Sequence, residues 1–174
     1  LVDRSQRGKL ALSGPGAIEF LNGQVTNELA DLRPGEGCYA AFLTHKGKML
    51  GDLRVLDAGA ELLLDTERVA LQELFNMIRR FSVGYDVQLH KRTVQSGLLS
   101  LVGPEAASVS DVGPAEHRHV AGEVQGVAVR WIRTDLGVDL LCEAADTAAL
   151  AAALQRRGVP SRYLFFPDEG HWIT

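Results

Sequence analysis

A carboxylate stands in an unusual place in residues 44–55. This segment reads Thr-His-Lys-Gly-Lys-Met-Leu-Gly-Asp-Leu-Arg-Val, and Asp52 lies inside a strand that is otherwise apolar. A carboxylate in such surroundings is costly unless a partner compensates its charge. Two alternatives follow. Asp52 either faces outward and pairs with Arg54, since side chains two apart in a strand share a face, or it binds a ligand.

The histidines and cysteines do not form a pattern typical of a metal site. His117 and His119 lie two residues apart in a polar stretch without a third ligand nearby, and we expect solvated loop residues. Cys38 and Cys142 are far apart and belong to no CxxC motif, so we expect two buried thiols. We therefore predict no metal site.

The elements that must position Asp52 form a mixed pattern. Residues 39–64 predict a three-stranded antiparallel meander, in which Gly47 provides the positive φ of a hairpin turn. Residues 67–81 predict an amphipathic helix with five inward-facing side chains, and residues 111–122 predict a loop. Those five side chains are Val69, Leu71, Leu74, Phe75 and Ile78. Without regular βαβ repetition, the expected class is α+β, with antiparallel sheets and packed helices.

Composition excludes several classes of protein. The chain has 174 residues, of which 46% are hydrophobic and 23% charged, as in globular proteins that need no disulfide or metal staple. The net charge is −4 and there is no long basic run, which argues against nucleic acid as a partner. No apolar run approaches the roughly 20 residues that span a bilayer, and the first residues lack a signal-type stretch. We expect no membrane partner and a cytoplasmic location.

Several motifs in order carry a family resemblance. Residues 10–27 read LALSGPGAIEFLNGQVTN, and residues 39–48 read YAAFLTHKGK. Together they resemble the N-terminal region of YgfZ-type folate-binding proteins, which are relatives of the glycine-cleavage T-protein, an aminomethyltransferase. The resemblance extends over roughly residues 5–155.

The resemblance implies a fold like that of the aminomethyltransferase folate-binding domain, with interleaved domains around a folate cavity. Residues 39–92 would form a ferredoxin-like domain. Residues 1–38 and 93–158 would form a second, discontinuous domain half, followed by an atypical tail at 159–174. Within that tail, Gly170-His171-Trp172 resembles the histidine segment of prolyl-oligopeptidase-type hydrolases, but the chain has no G-x-S-x-G elbow to supply a nucleophile.

The resemblance also implies a set of folate-binding residues. A reduced pterin presents adjacent N–H donors that a fixed carboxylate accepts through two hydrogen bonds. Asp52 matches the second of two adjacent aspartates in the T-protein motif, and Gly51 replaces the first. Asp52 is thus both the candidate catalytic residue and a ligand for the cofactor, tetrahydrofolate.

Five further residues complete the candidate cofactor site. In such a site, apolar walls hold the pterin ring and a cation binds the glutamate tail of the folate. Leu43 and Arg54 are also assigned to the cofactor site. Asp139 lies where the family carries an acidic pterin-binding residue, although a solvated residue of an edge strand is equally compatible with the sequence. Thr26 and Asn27 match a family stretch, and capping of a helix end is the competing explanation.

Three functions remain open at this point. The first is a tetrahydrofolate-binding protein of the YgfZ type that supports iron–sulfur cluster assembly or repair, with iron–sulfur proteins as partners. The second is an active aminomethyltransferase, against which the loss of the aspartate at position 51 argues. The third is a non-catalytic truncated remnant or interaction domain. The family's Lys-Gly-Cys-Tyr-x-Gly-Gln-Glu motif has no counterpart here, which argues against the family's own activity.

Overall fold

A computed structural model describes residues 1–156 of the chain. One five-stranded sheet, called sheet I below, contains β2 (Gly8–Ser13), β3 (Gly37–Leu43), β4 (Met49–Asp57), β5 (Glu61–Thr66) and β6 (Gln88–Lys91). Its order is β3-β4-β5-β2-β6, and every neighbouring pair is antiparallel. The predicted meander is confirmed, because β3, β4 and β5 are successive neighbours in this sheet.

The second sheet, sheet II, is formed almost entirely by the later part of the chain. It contains β1 (Val2–Asp3), β7 (Ser96–Val102), β8 (His119–Val124), β9 (Val127–Arg133) and β10 (Gly137–Glu143). The order is β1-β7-β10-β9-β8, again antiparallel throughout. β10 therefore lies in the middle of its sheet.

Helices cover the outer, apolar face of each sheet. The helices are α1 (Ala17–Asn22), α2 (Leu71–Phe81) and α3 (Thr147–Arg156), with short 3-10 turns at Arg68–Ala70, Ala106–Val109 and Ala144–Asp146. Residues from α1 and α2 share one core with sheet I, including Phe20, Leu74 and Leu53. Residues from α3 share a second core with sheet II, including Leu150 and Leu140. The expected α+β class with antiparallel sheets and packed helices is confirmed.

The inner faces of the two sheets carry the polar residues. In β4, Leu53 and Val55 belong to the core, so Asp52 and Arg54 point to the opposite face. Arg54 contacts Asp139 of β10, which joins sheet I to sheet II. The order of layers is thus helix, sheet, sheet, helix, with charge in the middle.

Two local predictions were wrong. Val69 is 91% exposed, because it lies in the 3-10 turn before α2, where the spacing of an α-helix does not apply. The predicted loop at residues 111–122 includes the start of β8 at His119, whose pairing with Ile132 no local pattern indicates.

The predicted division into domains is not settled by this architecture and stays a prediction. β2, from the 1–38 segment, pairs with β5 and β6 in sheet I. The tail at 159–174 lies outside the described residues. Among residues 1–156, no helix is both long enough and apolar enough to cross a bilayer.

Candidate functional site

A row of polar side chains crosses the inner face of sheet I. The strand register aligns Lys9 with Asp65, Asp65 with Arg54, and Arg54 with Tyr39, across four neighbouring strands. Directly opposite residues in antiparallel strands have Cβ atoms about 4.5–5.5 Å apart, so alternating charges in such a row attract one another. The site is built on this row.

Arg54 is the centre of a buried chain of ion pairs. Its Nη2 donates to Asp65 Oδ2 at 2.8 Å, and its Nη1 lies 2.8 Å from Asp139 Oδ2 on sheet II. Asp65 also accepts from Arg7 Nε at 2.7 Å, and Ser100 Oγ donates to Asp139 Oδ1 at 2.6 Å. The chain of pairs therefore places opposite charge beside carboxylates that would be costly to bury alone.

Arg7 extends this chain of ion pairs toward β2, and Lys9 lies beside it. Arg7 has a second carboxylate partner in Glu67, which is more exposed to solvent. Lys9 is buried, and its Nζ donates to the backbone carbonyls of Ser5 at 2.7 Å and Arg7 at 3.0 Å. Burial lowers the pKa of Lys9 to about 8, against the opposing attraction of Asp65.

Asp52 stands next to the chain of ion pairs and takes no part in it. It lies opposite Ala41 of β3, is half-buried, and has no ion-pair partner within residues 1–156. Its backbone carbonyl accepts from Thr66 Oγ1 at 2.5 Å, which holds this part of β4 against β5. The alternative in which Asp52 pairs with Arg54 is wrong, because the Arg54 guanidinium pairs with Asp65 and Asp139.

Tyr39 is the aromatic neighbour of this carboxylate. Burial and the neighbouring Asp52 carboxylate raise the pKa of the Tyr39 phenol. The Tyr39 ring is half exposed and stacks on His117, with centroids 6.2 Å apart and planes at 17°. Asp52, Tyr39 and His117 together offer a carboxylate beside a flat, accessible ring.

Thr26 and Asn27 lie along the free edge of β3. The Thr26 amide donates to the Ala41 carbonyl at 2.9 Å, and the Ala41 amide donates to Thr26 Oγ1, also at 2.9 Å. Asn27 Nδ2 donates to the Tyr39 carbonyl at 3.0 Å. These side chains bond the backbone of β3 rather than a helix end, so they hold the strand that carries Tyr39.

The other predicted site residues have different surroundings from Asp52. Arg54 and Asp139 are buried against each other, and Asp139 is no solvated edge residue, because β10 is central in sheet II. Leu43, at the end of β3, lines a different groove of about 410 Å³ beside Leu50 and Met77. The structure therefore brings Asp52, Thr26 and Asn27 to one edge of sheet I, whereas the ligand roles of all six residues stay predictions.

Gly51 leaves no room for a second acid next to Asp52. A Cβ atom at this position would lie 2.6 Å from Ala70 Cβ and 2.8 Å from Phe42 Cζ, both closer than real Cβ contacts allow. Because neighbouring residues in a strand point to opposite faces, this side chain would enter the core under α2. The packing around β4 therefore allows a carboxylate at position 52 but not a second one at position 51.

His117 and His119 are more buried than the solvated loop residues that the sequence predicts. His119 is only 3% exposed, with Nε2 3.2 Å from the Glu36 carbonyl and Nδ1 2.9 Å from Arg130 Nη1. Burial lowers the pKa of both His117 and His119, which favours the neutral rings. The described residues contain no cluster of three or more His, Cys, Asp or Glu that could hold a metal ion.

The cysteines are also partly or fully buried. Cys142 is buried near Thr147 Oγ1, Cys38 is half-buried, and burial raises the pKa of both thiols. Sequence reasoning missed the roles of Tyr39 and Lys9. Tyr39 is the first residue of the 39–48 segment and lies thirteen positions before Asp52. Only the pairing of β3 with β4 shows that the two side chains are neighbours.

Comparison with known families identifies one match over most of the chain. The model of the family described as the GCVT N-terminal domain matches residues 1–162. An aminomethyltransferase of Geobacillus kaustophilus is 30% identical over 171 residues, which cover 91% of this chain and 47% of that protein. An aminomethyltransferase of Thermotoga petrophila is 27% identical over 107 residues, or 61% of this chain and 29% of that protein. The chain thus spans about half or less of the length of these relatives.

Solved structures share the fold at lower sequence identity. The glycine cleavage system aminomethyltransferase T of Bartonella henselae superposes with a TM-score of 0.78 at 22% identity, covering 94% of this chain and 46% of that one. A chain of the heterotetrameric sarcosine oxidase of Corynebacterium sp. U-96 gives a TM-score of 0.68 at 19% identity, covering 94% and 86%. These likenesses show the architecture of two antiparallel sheets with few helices.

Proposed function

This chain belongs to the GCVT N-terminal domain family, and from that membership we propose that it binds tetrahydrofolate. In this proposal the Asp52 carboxylate accepts hydrogen bonds from the pterin. The observation that carries the proposal is the state of the Asp52 carboxylate. Asp65 and Asp139 are neutralised by arginines, whereas Asp52 has no ion-pair partner within the described chain and interacts with the Tyr39 phenol.

The chemistry of a reduced pterin fits this carboxylate. The aminopyrimidinone edge presents adjacent N–H donors, and an ionised carboxylate accepts two such bonds in parallel. The half-exposed Tyr39 ring provides a flat surface beside it, of the kind that aromatic ligands contact at offset or edge geometry. Thr26 and Asn27 hold β3 in register and so support the position of Tyr39.

We assign Arg54 and Asp139 a positioning role in this site. Both are buried in their mutual ion pair, so they fix β4 against sheet II rather than meet the ligand.

The more specific proposal is the YgfZ-type role, in which the protein binds folate and supports iron–sulfur cluster assembly or repair. The feature that favours binding over transfer is Gly51, since Phe42 and Ala70 leave no space for the second aspartate of the T-protein motif. The competing proposal is aminomethyl transfer to tetrahydrofolate, which the names of the curated relatives favour.

Titration calorimetry with tetrahydrofolate tests the binding proposal. We expect saturable binding by the wild-type protein and a loss of at least about tenfold in affinity, or about 1.4 kcal/mol, for Asp52→Asn. Asp111→Asn is the matched control, because Asp111 is exposed and outside the site. Equal affinities for Asp52→Asn and the wild type, with both proteins folded, would show that Asp52 is not the ligand.

A turnover assay separates the two functions. We expect no transfer of an aminomethyl group from a lipoyl carrier protein to tetrahydrofolate under conditions in which the folate is bound. Sustained turnover by the wild-type protein would favour the aminomethyltransferase instead. The iron–sulfur role is tested in cells that lack their YgfZ-type protein, where we expect wild-type chain, but not Asp52→Asn, to restore the activity of iron–sulfur enzymes.

A further inference from the structure

A cleft of about 470 Å³ lies between the inner faces of the two sheets. Its apolar lining comes from both sides and includes Leu56, Leu63, Leu98, Ile132 and Leu141. This volume is within the roughly 300–1,000 Å³ of typical small-molecule sites. The cleft is a different place from the folate site proposed above, because neither Asp52 nor Tyr39 lines it.

The chain of ion pairs forms the border between the two sites. Arg54 and Asp65 line the cleft, and Asp52 lies one side-chain step along β4 on the far side of Arg54. Because Arg54 reaches across to Asp139 of sheet II, the ion pair closes the cleft toward Asp52. A molecule in the cleft would therefore not touch the Asp52 carboxylate.

The cations in the cleft differ in how they are paired, and Arg54 is held by Asp139, which lies outside the lining. Cations in its lining are Lys9, Arg54, Arg92 and Arg130, and the acids are Glu61, Asp65 and Glu143. Both oxygens of Asp65 are already taken, one by Arg7 at 2.7 Å and the other by Arg54 at 2.8 Å. Glu61 pairs with Arg92 at 3.2 Å and is also the acid whose charge acts on Arg130.

Several donors in this lining are left without an acidic acceptor. Arg54 Nε is buried and has no hydrogen-bond partner among the described residues. Within residues 1–156 the Lys9 ammonium donates only to backbone carbonyls, and Arg130 Nη1 contacts the ring nitrogen of His119. One unsatisfied buried donor and two cations without a carboxylate bonded to them, next to leucine and isoleucine walls, are complementary to an anion that carries a hydrocarbon body.

We propose that the cleft is a second binding site, for a small organic anion with an apolar body, of the class of medium-chain carboxylates. Its carboxylate lies against Arg130 and the neighbouring cations. Its hydrocarbon chain packs between Leu63 of sheet I and Leu141 of sheet II. This inference goes beyond folate binding and does not depend on it.

Calorimetric titration with octanoate tests the proposal, with octylammonium as the probe of opposite charge. We expect octanoate to bind the wild-type protein and octylammonium not to bind. Arg130→Gln removes the positive charge and should lower the affinity for octanoate by at least about tenfold. Ala128→Phe adds a ring at the exposed rim of the cleft and should weaken binding by steric exclusion, without changing any charge.

Controls distinguish a real site from general attraction. Arg156→Gln makes the same substitution at an exposed arginine outside the cleft, and it should bind octanoate like the wild type. Thermal melts establish that each variant is folded. Saturating octanoate should leave the affinity for tetrahydrofolate unchanged.

Four results would overturn the inference. They are no octanoate binding to the folded wild type up to about 10 mM, equal binding of octylammonium, wild-type affinity in either cleft variant, and displacement of tetrahydrofolate by octanoate. Failure of tetrahydrofolate to bind, with octanoate still bound, would refute the proposed function and leave this inference standing.

Discussion

Replacing Arg54 by methionine should destabilise the protein more than any other change to the polar inner face. Arg54 is buried together with Asp65 and Asp139, and each carboxylate lies 2.8 Å from one of its terminal nitrogens. In Arg54→Met, Asp65 keeps Arg7, but Asp139 keeps only the hydroxyl of Ser100. Removing one partner of a buried ion pair costs about 3–5 kcal/mol, and we expect a loss in this range.

Urea unfolding at neutral pH measures this loss as a change in the free energy of unfolding. Two further variants locate its cause. Arg54→Met combined with Asp139→Leu removes both charges between the sheets and should recover part of the stability, whereas Arg156→Met, at an exposed arginine, should change it by no more than about 0.5 kcal/mol. A loss below about 1 kcal/mol for Arg54→Met would mean that the pair behaves like an exposed one and does not join the sheets.

Three further perturbations act on neighbouring features. Gly51→Ala, whose Cβ would lie 2.6 Å from that of Ala70, should cost about 1–3 kcal/mol in the same urea assay, and unchanged stability would refute the packing argument. Ser100→Ala removes the donor to Asp139 Oδ1 and should cost about 1–3 kcal/mol; a neutral effect would show that this bond is not needed. Burial lowers the pKa of Lys9 from 10.5 to about 8, so between these pH values the unfolded chain binds a proton that the folded chain does not. The free energy of unfolding, relative to that of Lys9→Met, should therefore rise with pH from 8 to 10.5, by on the order of 3 kcal/mol. A flat difference between the two proteins over this range would contradict the burial of a charged ammonium.

The sequence predicts what depends on neighbours in the chain. The meander of β3, β4 and β5 follows from alternating side chains and the turn at Gly47, which has a φ of 78°. Helix α2 follows from the spacing of Leu74 and Ile78, both fully buried. Asp52 could be singled out because an acid in an apolar strand needs an explanation.

The polar interior could not be predicted in the same way. The partners of Arg54 lie on β5 and on β10 of the other sheet, and no local pattern indicates that these strands face each other. For the same reason His119 looks like a loop residue in sequence, although β9 and the Glu36 carbonyl enclose it. Residues whose role depends on contacts between sheets remain hidden until the topology is known.

The pairing of β1 has a consequence for the order in which the protein folds on the ribosome. Val2 and Asp3 pair with Ser100 and Leu99, whereas all strands of sheet I lie between Gly8 and Lys91. At about 5–20 residues per second, the ribosome needs roughly 5–20 s to make the chain that separates β1 from β7. Sheet I is therefore fully synthesised while β1 still has no partner. Val2 and Asp3 leave the exit tunnel before every strand of sheet I, yet they are among the last to reach their native neighbours, as expected where distant segments must meet.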